Sequence, residues 1–193
     1  MTKYILHGGN TGRKTDDNKN FFYEITRGLS DPVKVLCVYY AKEDKSKWQE
    51  LFENDQENFS SASPQKVLIF EMANNKTIAF VEQIKSADVI YMRGGNSTHI
   101  LQEYLEKVDD LEKLWSGKVV AGSSAGAIVL SEYYYENDDE VRPYNKGLGI
   151  LPIKTFCHYT EEQSDKLTKL KEYGENMETI YTIPEEKFFI IER

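Results

Sequence analysis

The residues best suited to chemistry lie in the segment 119–130, which reads VVAGSSAGAIVL. Apolar residues typical of a buried strand run into the pattern Gly-x-Ser-x-Gly, and the residues after it continue as the apolar face of a helix. A strand, a tight turn and a helix in this order form a nucleophile elbow, which presents the central serine, Ser124, at the end of the strand. Gly122 and Gly126 would leave room for the neighbouring strand and helix. The pattern therefore predicts a serine nucleophile that attacks a carbonyl carbon.

The same turn would supply half of an oxyanion hole. The N–H of Ala125 lies at the start of the predicted helix, where it points towards a developing oxyanion and is assisted by the helix dipole. The plainer alternatives are a small-residue turn and a phosphate-binding loop. The chain contains neither Gly-Lys-Ser/Thr nor Gly-x-Gly-x-x-Gly, so a phosphate-binding loop is disfavoured.

A serine nucleophile needs a base, and the chain has only three histidines. His99 falls within a predicted helix and is interpreted as a surface or packing residue. His7 ends the first predicted strand and could border the site. His158 ends an extended run just before a predicted helix, so it too lies at the terminus of a predicted strand. Adjacent strand residues face opposite sides, so Cys157 is expected to point into the core.

Two parts of the chain could provide the carboxylate that orients the histidine. The α/β-hydrolase order of serine, acid and histidine would draw it from the stretch Glu132 to Glu140. The order of serine, histidine and acid favours Glu185, in a turn between two predicted strands, with Glu186 as its alternate. A polar hairpin turn without a catalytic role is the plain interpretation of both glutamates.

The elements that must position these residues alternate between strand and helix. This alternation predicts an α/β fold with a doubly wound, mostly parallel sheet flanked by helices. The tyrosine-rich segment 133–145 is predicted to be a polar loop or flap. Strands are expected at 4–7, 33–40, 67–70, 87–92, from 119 into the elbow, 150–157, 179–183 and 188–191, with helices over 21–29, 46–59, 78–84, 98–105, 111–115 and 161–173.

Length and composition limit the possible classes of protein. The chain has 193 residues, of which 40% are hydrophobic, so a single domain over residues 1–193 is expected. A formal net charge of −8 disfavours binding to nucleic acid or to an anionic membrane. The N-terminus does not resemble a signal peptide, and two cysteines suggest neither a disulfide framework nor a zinc site. A reduced, cytoplasmic protein fits these features.

Four blocks, taken in order, resemble the peptidase E group of serine peptidases, which includes aspartyl dipeptidase and, more distantly, cyanophycinase. The resemblance covers most of the chain. The blocks are Gly94-Gly95-Asn96-Ser97 after an apolar strand, Gly122-Ser123-Ser124-Ala125-Gly126-Ala127, Gly147-Leu148-Gly149-Ile150-Leu151 leading to His158-Tyr159-Thr160, and Ile183-Pro184-Glu185.

The resemblance implies a fold similar to the class I glutamine amidotransferase domain, a flavodoxin-like three-layer sandwich. It also implies roles for individual residues: Ser124 as nucleophile, His158 as general base and then acid, and Glu185 as the orienting acid. Gly95 N–H would join Ala125 N–H in the oxyanion hole. Acyl transfer and hydrolysis would then need no metal and no cofactor.

This sequence departs from the family in two places. In peptidase E a cationic side chain from the helix after the histidine helps to bind the substrate's N-terminal aspartate, but the fitting position here is Gln163. We take Gln163 and Asn96 as substrate-binding candidates and leave aspartate preference open. Family members also usually continue with more β-structure after the strand that follows Glu185, so the protein is either naturally short or a truncated form.

The leading hypothesis is a serine-type dipeptidase that takes small peptides and exists as a monomer or a homodimer. One alternative is an esterase or amidase that uses a different acid. A second alternative is a catalytically inactive protein of the same fold that binds a small ligand at the glycine-rich strand ends.

Overall fold

Two β-sheets organise the chain, and the computed structural model describes residues 1–193. The larger sheet has six strands in the order β10-β1-β5-β4-β2-β3. All of its neighbouring strands are parallel except β10, which runs antiparallel to β1. These strands are β1 (Lys3–His7), β2 (Val33–Val38), β3 (Leu68–Met72), β4 (Val89–Met92), β5 (Val119–Ser123) and β10 (Phe188–Glu192).

Helices cover both faces of this sheet. The chain moves away from β1 to β2 and β3 and then returns through β4 to β5. Connections between parallel strands are right-handed, so the helices that precede this change of direction lie on one face of the sheet and those that follow it lie on the other. The helices are α1 (Asp16–Thr26), α2 (Trp48–Ala62), α3 (Thr77–Ser86), α4 (Thr98–Leu105), α5 (Leu111–Leu114), α6 (Ala125–Ile128) and α7 (Ser164–Glu172). The predicted α/β, mostly parallel fold is confirmed.

The second sheet has four strands in the order β7-β6-β8-β9. They are β6 (Ser131–Tyr135), β7 (Tyr144–Lys146), β8 (Leu151–Cys157) and β9 (Ile180–Ile183). Only β7 runs antiparallel to its neighbour. One apolar core includes residues of both sheets, among them Tyr134, Ile153 and Ile183 beside the strands of the larger sheet.

The prediction of a loop or flap over 133–145 is wrong at both ends of that segment. Tyr133, Tyr134 and Tyr135 form most of β6 and are buried. Tyr134 joins the main core, whereas Tyr135 packs on Phe156 with ring centroids 4.3 Å apart. Tyrosine suits a strand that is covered on both faces, because its ring is apolar and only its hydroxyl needs a polar partner. A turn remains between β6 and β7.

None of the seven helices is both long enough and apolar enough to cross a membrane. Cys37 and Cys157 are buried and are not joined in a disulfide. Cys157 lies in the core, as its position beside His158 on a strand predicts.

A buried lysine fastens α7 to the second sheet. The side chain of Lys154 in β8 is fully buried, and its Nζ donates hydrogen bonds to the carbonyls of Leu170, Lys171 and Tyr173 at distances of 3.1, 2.7 and 2.7 Å. These carbonyls lie at the C-terminal end of the helix, where a positive charge is favourable. The carbonyl of Leu170 also accepts a hydrogen bond from Tyr173 N–H at 3.3 Å.

Replacement of Lys154 by methionine is expected to lower the free energy of unfolding by about 2 kcal/mol, because three carbonyls lose a charged donor. Urea unfolding followed by circular dichroism would measure the change. Lys169→Met, at an exposed position on the same helix, is the matched control and should change stability by less than about 0.5 kcal/mol. Equal effects of the two substitutions would contradict this role for Lys154.

Candidate active site

The ends of five strands meet at one edge of the two sheets. β1, β5 and β4 are adjacent in the larger sheet, so the segments that follow them lie side by side. His158 follows β8, and the turn that holds Glu185 joins β9 to β10. The structure therefore brings Ser124, His158 and Glu185 together from three distant parts of the chain.

Three consecutive carbonyls at the end of β1, those of residues 7–9, hold these segments together. The carbonyl of His7 accepts a hydrogen bond from Ser124 N–H at 2.9 Å, and that of Gly8 accepts one from His158 N–H at 3.1 Å. The carbonyl of Gly9 accepts one from Glu186 N–H, also at 3.1 Å. The main chain of residues 7–9 thus sets the relative positions of all three segments.

The side chains form a continuous hydrogen-bonded series. Ser124 Oγ lies 2.8 Å from His158 Nε2, and His158 Nδ1 lies 3.1 Å from Glu185 Oε1. A carboxylate can only accept, so Nδ1 carries the proton and Nε2 is free to accept one from the serine hydroxyl. This is the geometry of a serine nucleophile with a histidine base and an orienting acid.

Asn10 orients the acid from the other side. Its Nδ2 donates to Glu185 Oε2 at 2.9 Å, and this bond is the main reason why the pKa of Glu185 lies below its ordinary value. The hydrogen bond with His158 lowers the pKa further, and burial opposes both effects. The Glu185 side chain is therefore ionised at neutral pH and accepts from two donors at once.

Backbone strain is concentrated at this site. Of the five non-glycine residues with positive φ, four are found here: Asn10 at 68°, Ser124 at 50°, His158 at 55° and Glu186 at 65°. Such conformations are costly for side chains with a Cβ and persist where surrounding structure enforces them. Ser124, with ψ of −116°, has the strained turn that the elbow pattern predicts.

Gly9 is required by its contact with the imidazole. Its φ is 117°, and a Cβ at this position would overlap Cε1 of His158. The ring therefore lies directly on the main chain of residue 9. Gly9 N–H in turn donates to Nδ1 of His7 at 3.1 Å, which fixes the peptide against which the ring rests.

Both predicted oxyanion donors border Ser124. Ala125 is the first residue of α6, so its N–H has no intrahelical acceptor. Gly95 N–H makes no hydrogen bond within the protein, and Gly95 lines the same cavity as Ser124. A Cβ on Gly95 would overlap the carbonyl of Ala41, which explains the glycine at this position.

The cavity beside Ser124 has a volume of about 330 Å³. Asp138, from the turn between β6 and β7, reaches it, so part of the segment predicted as a flap does border the site. No group of three or more His, Cys, Asp or Glu side chains is arranged to hold a metal ion. The lining residues are Asn10, Thr11, Gly12, Arg93, Gly94, Gly95, Ser124, Asp138 and His158.

The two substrate-binding candidates do not line this cavity. Asn96 donates from Nδ2 to Glu43 at 3.0 Å and borders a separate cleft beside α4. Gln163 is used in the helix cap, where its Oε1 accepts from Thr160 N–H at 3.0 Å and its Nε2 donates to Asn137 at 3.0 Å. Both amides thus have partners within the protein, and a role for Asn96 and Gln163 in substrate binding stays a prediction.

The other candidate residues have structural partners. His99 is exposed and lies 3.0 Å from Glu103 on α4. His7 is fully buried, and its Nε2 donates to Asn18 Oδ1 at 2.9 Å. Glu132, from the alternative source of the acid, is paired with Lys146 at 3.1 Å rather than with His158.

Sequence reasoning missed an ion pair beside the cavity, between Arg93 and a buried Asp55. Arg93 Nη1 lies 2.6 Å from Asp55 Oδ1, and the Asp55 side chain is fully buried. Tyr39 also donates to Asp55, at 2.9 Å. The available signal was that Asp55 falls on the apolar stripe of α2, together with Trp48 and Phe59, where an unpaired acid would be unstable.

Comparison with known proteins shows that the chain is similar to peptidases. A family model described as peptidase family S51 matches residues 4–193. The chain is 26% identical over 170 residues to the uncharacterized peptidase YgaJ of Bacillus subtilis, a match that spans 86% of this chain and 72% of that protein. It is 29% identical over 97 residues to the uncharacterized peptidase Lmo0363 of Listeria monocytogenes, a match that spans 45% of this chain and 47% of that protein.

Two crystal structures share the fold. One is a peptidase E candidate from Listeria monocytogenes EGD-e, with a TM-score of 0.67 and 20% identity over 99% of this chain and 94% of that one. The other is a peptidase from an acI-B1 actinobacterium, with a TM-score of 0.64 and 19% identity over 99% of this chain and 83% of that one. At these identities the two structures show a common architecture.

Substitution of Gly9 by alanine is expected to slow the reaction of Ser124 with a fluorophosphonate probe at least tenfold, because the new Cβ displaces the His158 ring. The rate of labelling, measured by mass spectrometry, tests this. Gly28→Ala is the matched control, since Gly28 also has a positive φ, of 82°, but a Cβ there meets no atom within 4 Å. Similar labelling rates for the two variants would contradict the proposed contact.

Acid is expected to destabilise the protein through His7, whose pKa is lowered to about 4, chiefly by burial. Between pH 6.5 and 4 the unfolded state binds a proton that the folded state does not, so stability falls as the pH falls through this window, by about 3 kcal/mol. Urea unfolding at several pH values should show a shallower pH dependence for His7→Gln than for the wild type. His99→Gln should keep the wild-type slope, and an unchanged slope in His7→Gln would contradict the assignment.

Proposed function

This chain belongs to peptidase family S51, and we propose that it is a serine dipeptidase that acts through a Ser-His-Glu triad and an acyl-enzyme. The observation that carries the proposal is the series from Ser124 Oγ to His158 Nε2 at 2.8 Å and from His158 Nδ1 to Glu185 Oε1 at 3.1 Å. The cytoplasm is the location that the composition predicts.

In the proposed reaction Ser124 Oγ attacks the peptide carbonyl carbon while its proton passes to His158 Nε2. The imidazolium that forms is stabilised by the ionised carboxylate of Glu185. The negative charge that develops on the carbonyl oxygen is held by the N–H groups of Gly95 and Ala125. Collapse of the tetrahedral intermediate breaks the C–N bond, and His158 donates its proton to the leaving amine.

Hydrolysis of the ester on Ser124 repeats these steps with water. His158 Nε2 takes a proton from the water, the hydroxide oxygen bonds to the acyl carbon, and the proton then returns to Ser124 Oγ as the acid leaves. A cavity of about 330 Å³ supports a short substrate, because it lies at the lower end of the range for small-molecule sites.

The test is hydrolysis of Asp-Leu, Glu-Leu, Ala-Leu and Lys-Leu by the purified protein, followed by release of free leucine. We expect at least one dipeptide to be cleaved, and kcat to fall by about 10⁴-fold or more in Ser124→Ala. If none of the four is cleaved while the fluorophosphonate probe still labels Ser124, dipeptidase activity is excluded for these substrates and a different carbonyl substrate must be sought.

Glu185→Gln distinguishes the triad from the alternative acid. It is expected to lower kcat by at least 100-fold, since the neutral amide can favour the wrong tautomer of His158. Glu186→Gln is the matched control, because the Glu186 side chain pairs with Arg13 at 3.1 Å and is not bonded to His158. Ester hydrolysis that survives in Glu185→Gln and is lost on substitution within 132–140 would favour the esterase alternative.

A further inference from the structure

We infer that Arg93 binds a carboxylate group of the substrate in the cavity beside Ser124. The inference rests on the proposed function in that the carboxylate belongs to the peptide cleaved there. Arg93 directly follows β4 and directly precedes the Gly94-Gly95 pair, and its side chain lines the same cavity as Ser124.

The guanidinium is held in place from one side only. Nη1 makes all of its hydrogen bonds: to Asp55 Oδ1 at 2.6 Å, to Asn54 Oδ1 at 3.2 Å and to the carbonyl of Leu51 at 3.5 Å. These three partners belong to α2, and the Arg93 side chain is only 14% exposed. The cation is therefore fixed to the scaffold before any ligand arrives.

The other edge of the guanidinium has no partner. Nε and Nη2 make no hydrogen bond in the structure, and neither atom is enclosed by protein. Nη2 lies on the side of Gly12, a residue of the cavity lining, since a Cβ at residue 12 would be 3.5 Å from it. Nε and Nη2 together form the planar pair of donors that binds both oxygens of a carboxylate.

A role limited to neutralising Asp55 would not account for this arrangement. The Asp55 carboxylate accepts hydrogen bonds from the Tyr39 hydroxyl at 2.9 Å and from Arg93 Nη1, so it uses only one nitrogen of Arg93. The remaining donors are left for a ligand, and Arg93 lines the same cavity as Ser124. Asp138, the one carboxylate residue in the lining, supplies a negative charge that suits the ammonium of a zwitterionic peptide.

Two carboxylates of a dipeptide could reach Arg93. One is the side chain of an aspartate or glutamate in the first residue, and the other is the terminal carboxylate of the second residue. Their chemistry toward a guanidinium is the same, so the experiment must separate them. A substrate with a free side-chain carboxylate and an amidated C-terminus isolates the first source, and a neutral first residue with a free C-terminus isolates the second.

Binding is measured by calorimetry with Ser124→Ala, which cannot turn the peptides over, and with Ser124→Ala/Arg93→Gln. The ligands are Ala-Leu, Asp-Leu, Ala-Leu amide and Asp-Leu amide. We expect Arg93→Gln to raise Kd at least tenfold for one carboxylate class and to change Kd for Ala-Leu amide by less than twofold. Loss confined to Ala-Leu and Asp-Leu assigns the terminal carboxylate, whereas loss confined to Asp-Leu and Asp-Leu amide assigns the side chain.

Three results would overturn the inference. They are an equal loss for Ala-Leu amide and for the charged peptides, no change for any peptide, and no measurable binding of any carboxylate peptide to Ser124→Ala. Lys14→Gln, which removes a nearby exposed cation paired with Glu57, is the matched control for a general charge effect.

A further pair of variants separates binding from folding. Arg93→Gln leaves Asp55 buried beside a neutral side chain, so Arg93→Gln/Asp55→Asn removes both charges and should restore the melting temperature without restoring carboxylate binding. Restored binding in the double variant would overturn the inference. If wild-type protein cleaves no dipeptide but Arg93-dependent binding persists, the proposed function fails while the carboxylate site stands.

Discussion

The candidate site depends on one short piece of main chain, the carbonyls of residues 7, 8 and 9. In succession they accept hydrogen bonds from the N–H groups of Ser124, His158 and Glu186. Residue 7 ends a strand in the larger sheet, and His158 follows a strand in the smaller one. The segment therefore couples the two sheets beside Ser124, and a shift of β1 would move Ser124, His158 and the turn that holds Glu185.

This coupling explains why the molecule tolerates strain here. Four non-glycine residues with positive φ lie within the site, each at a cost of order 1–3 kcal/mol. The segments that carry Ser124, His158 and Glu186 cannot relax separately, because each donates a hydrogen bond to the main chain of residues 7–9. The strands that precede them also contribute residues to the buried core. Gly8 and Gly9 allow close approaches, since a side chain at either residue would overlap the Pro184 carbonyl or the His158 ring.

Charges at the site are fixed by second partners. Glu185 is paired with His158 but is also oriented by Asn10, and Arg93 lines the cavity but is anchored by Asp55. The pKa of Asp55 lies above its ordinary value, because the effect of burial outweighs the lowering by Arg93 and by the hydroxyls of Tyr39 and Tyr91. Glu185 and Arg93 are thus each held by a second partner, Asn10 and Asp55 respectively, so their positions are set by the protein itself.

The sequence by itself determined the local features: the strand–turn–helix pattern around Ser124, the alternation of strands and helices, and the small number of residues able to act as base. These follow from side-chain periodicity and from the few residue types that fit a tight turn. The sequence did not reveal that the amides of Asn96 and Gln163 pair with Glu43, Thr160 and Asn137. It also did not reveal β6, because three consecutive tyrosines were interpreted as part of a polar loop although they are buried in a strand. Only the tertiary structure could bring Asn10 to Glu185 and Arg93 to Asp55, since those contacts join residues separated by 175 and 38 positions. Contacts over such distances depend on how the sheets pack, and no local pattern encodes them.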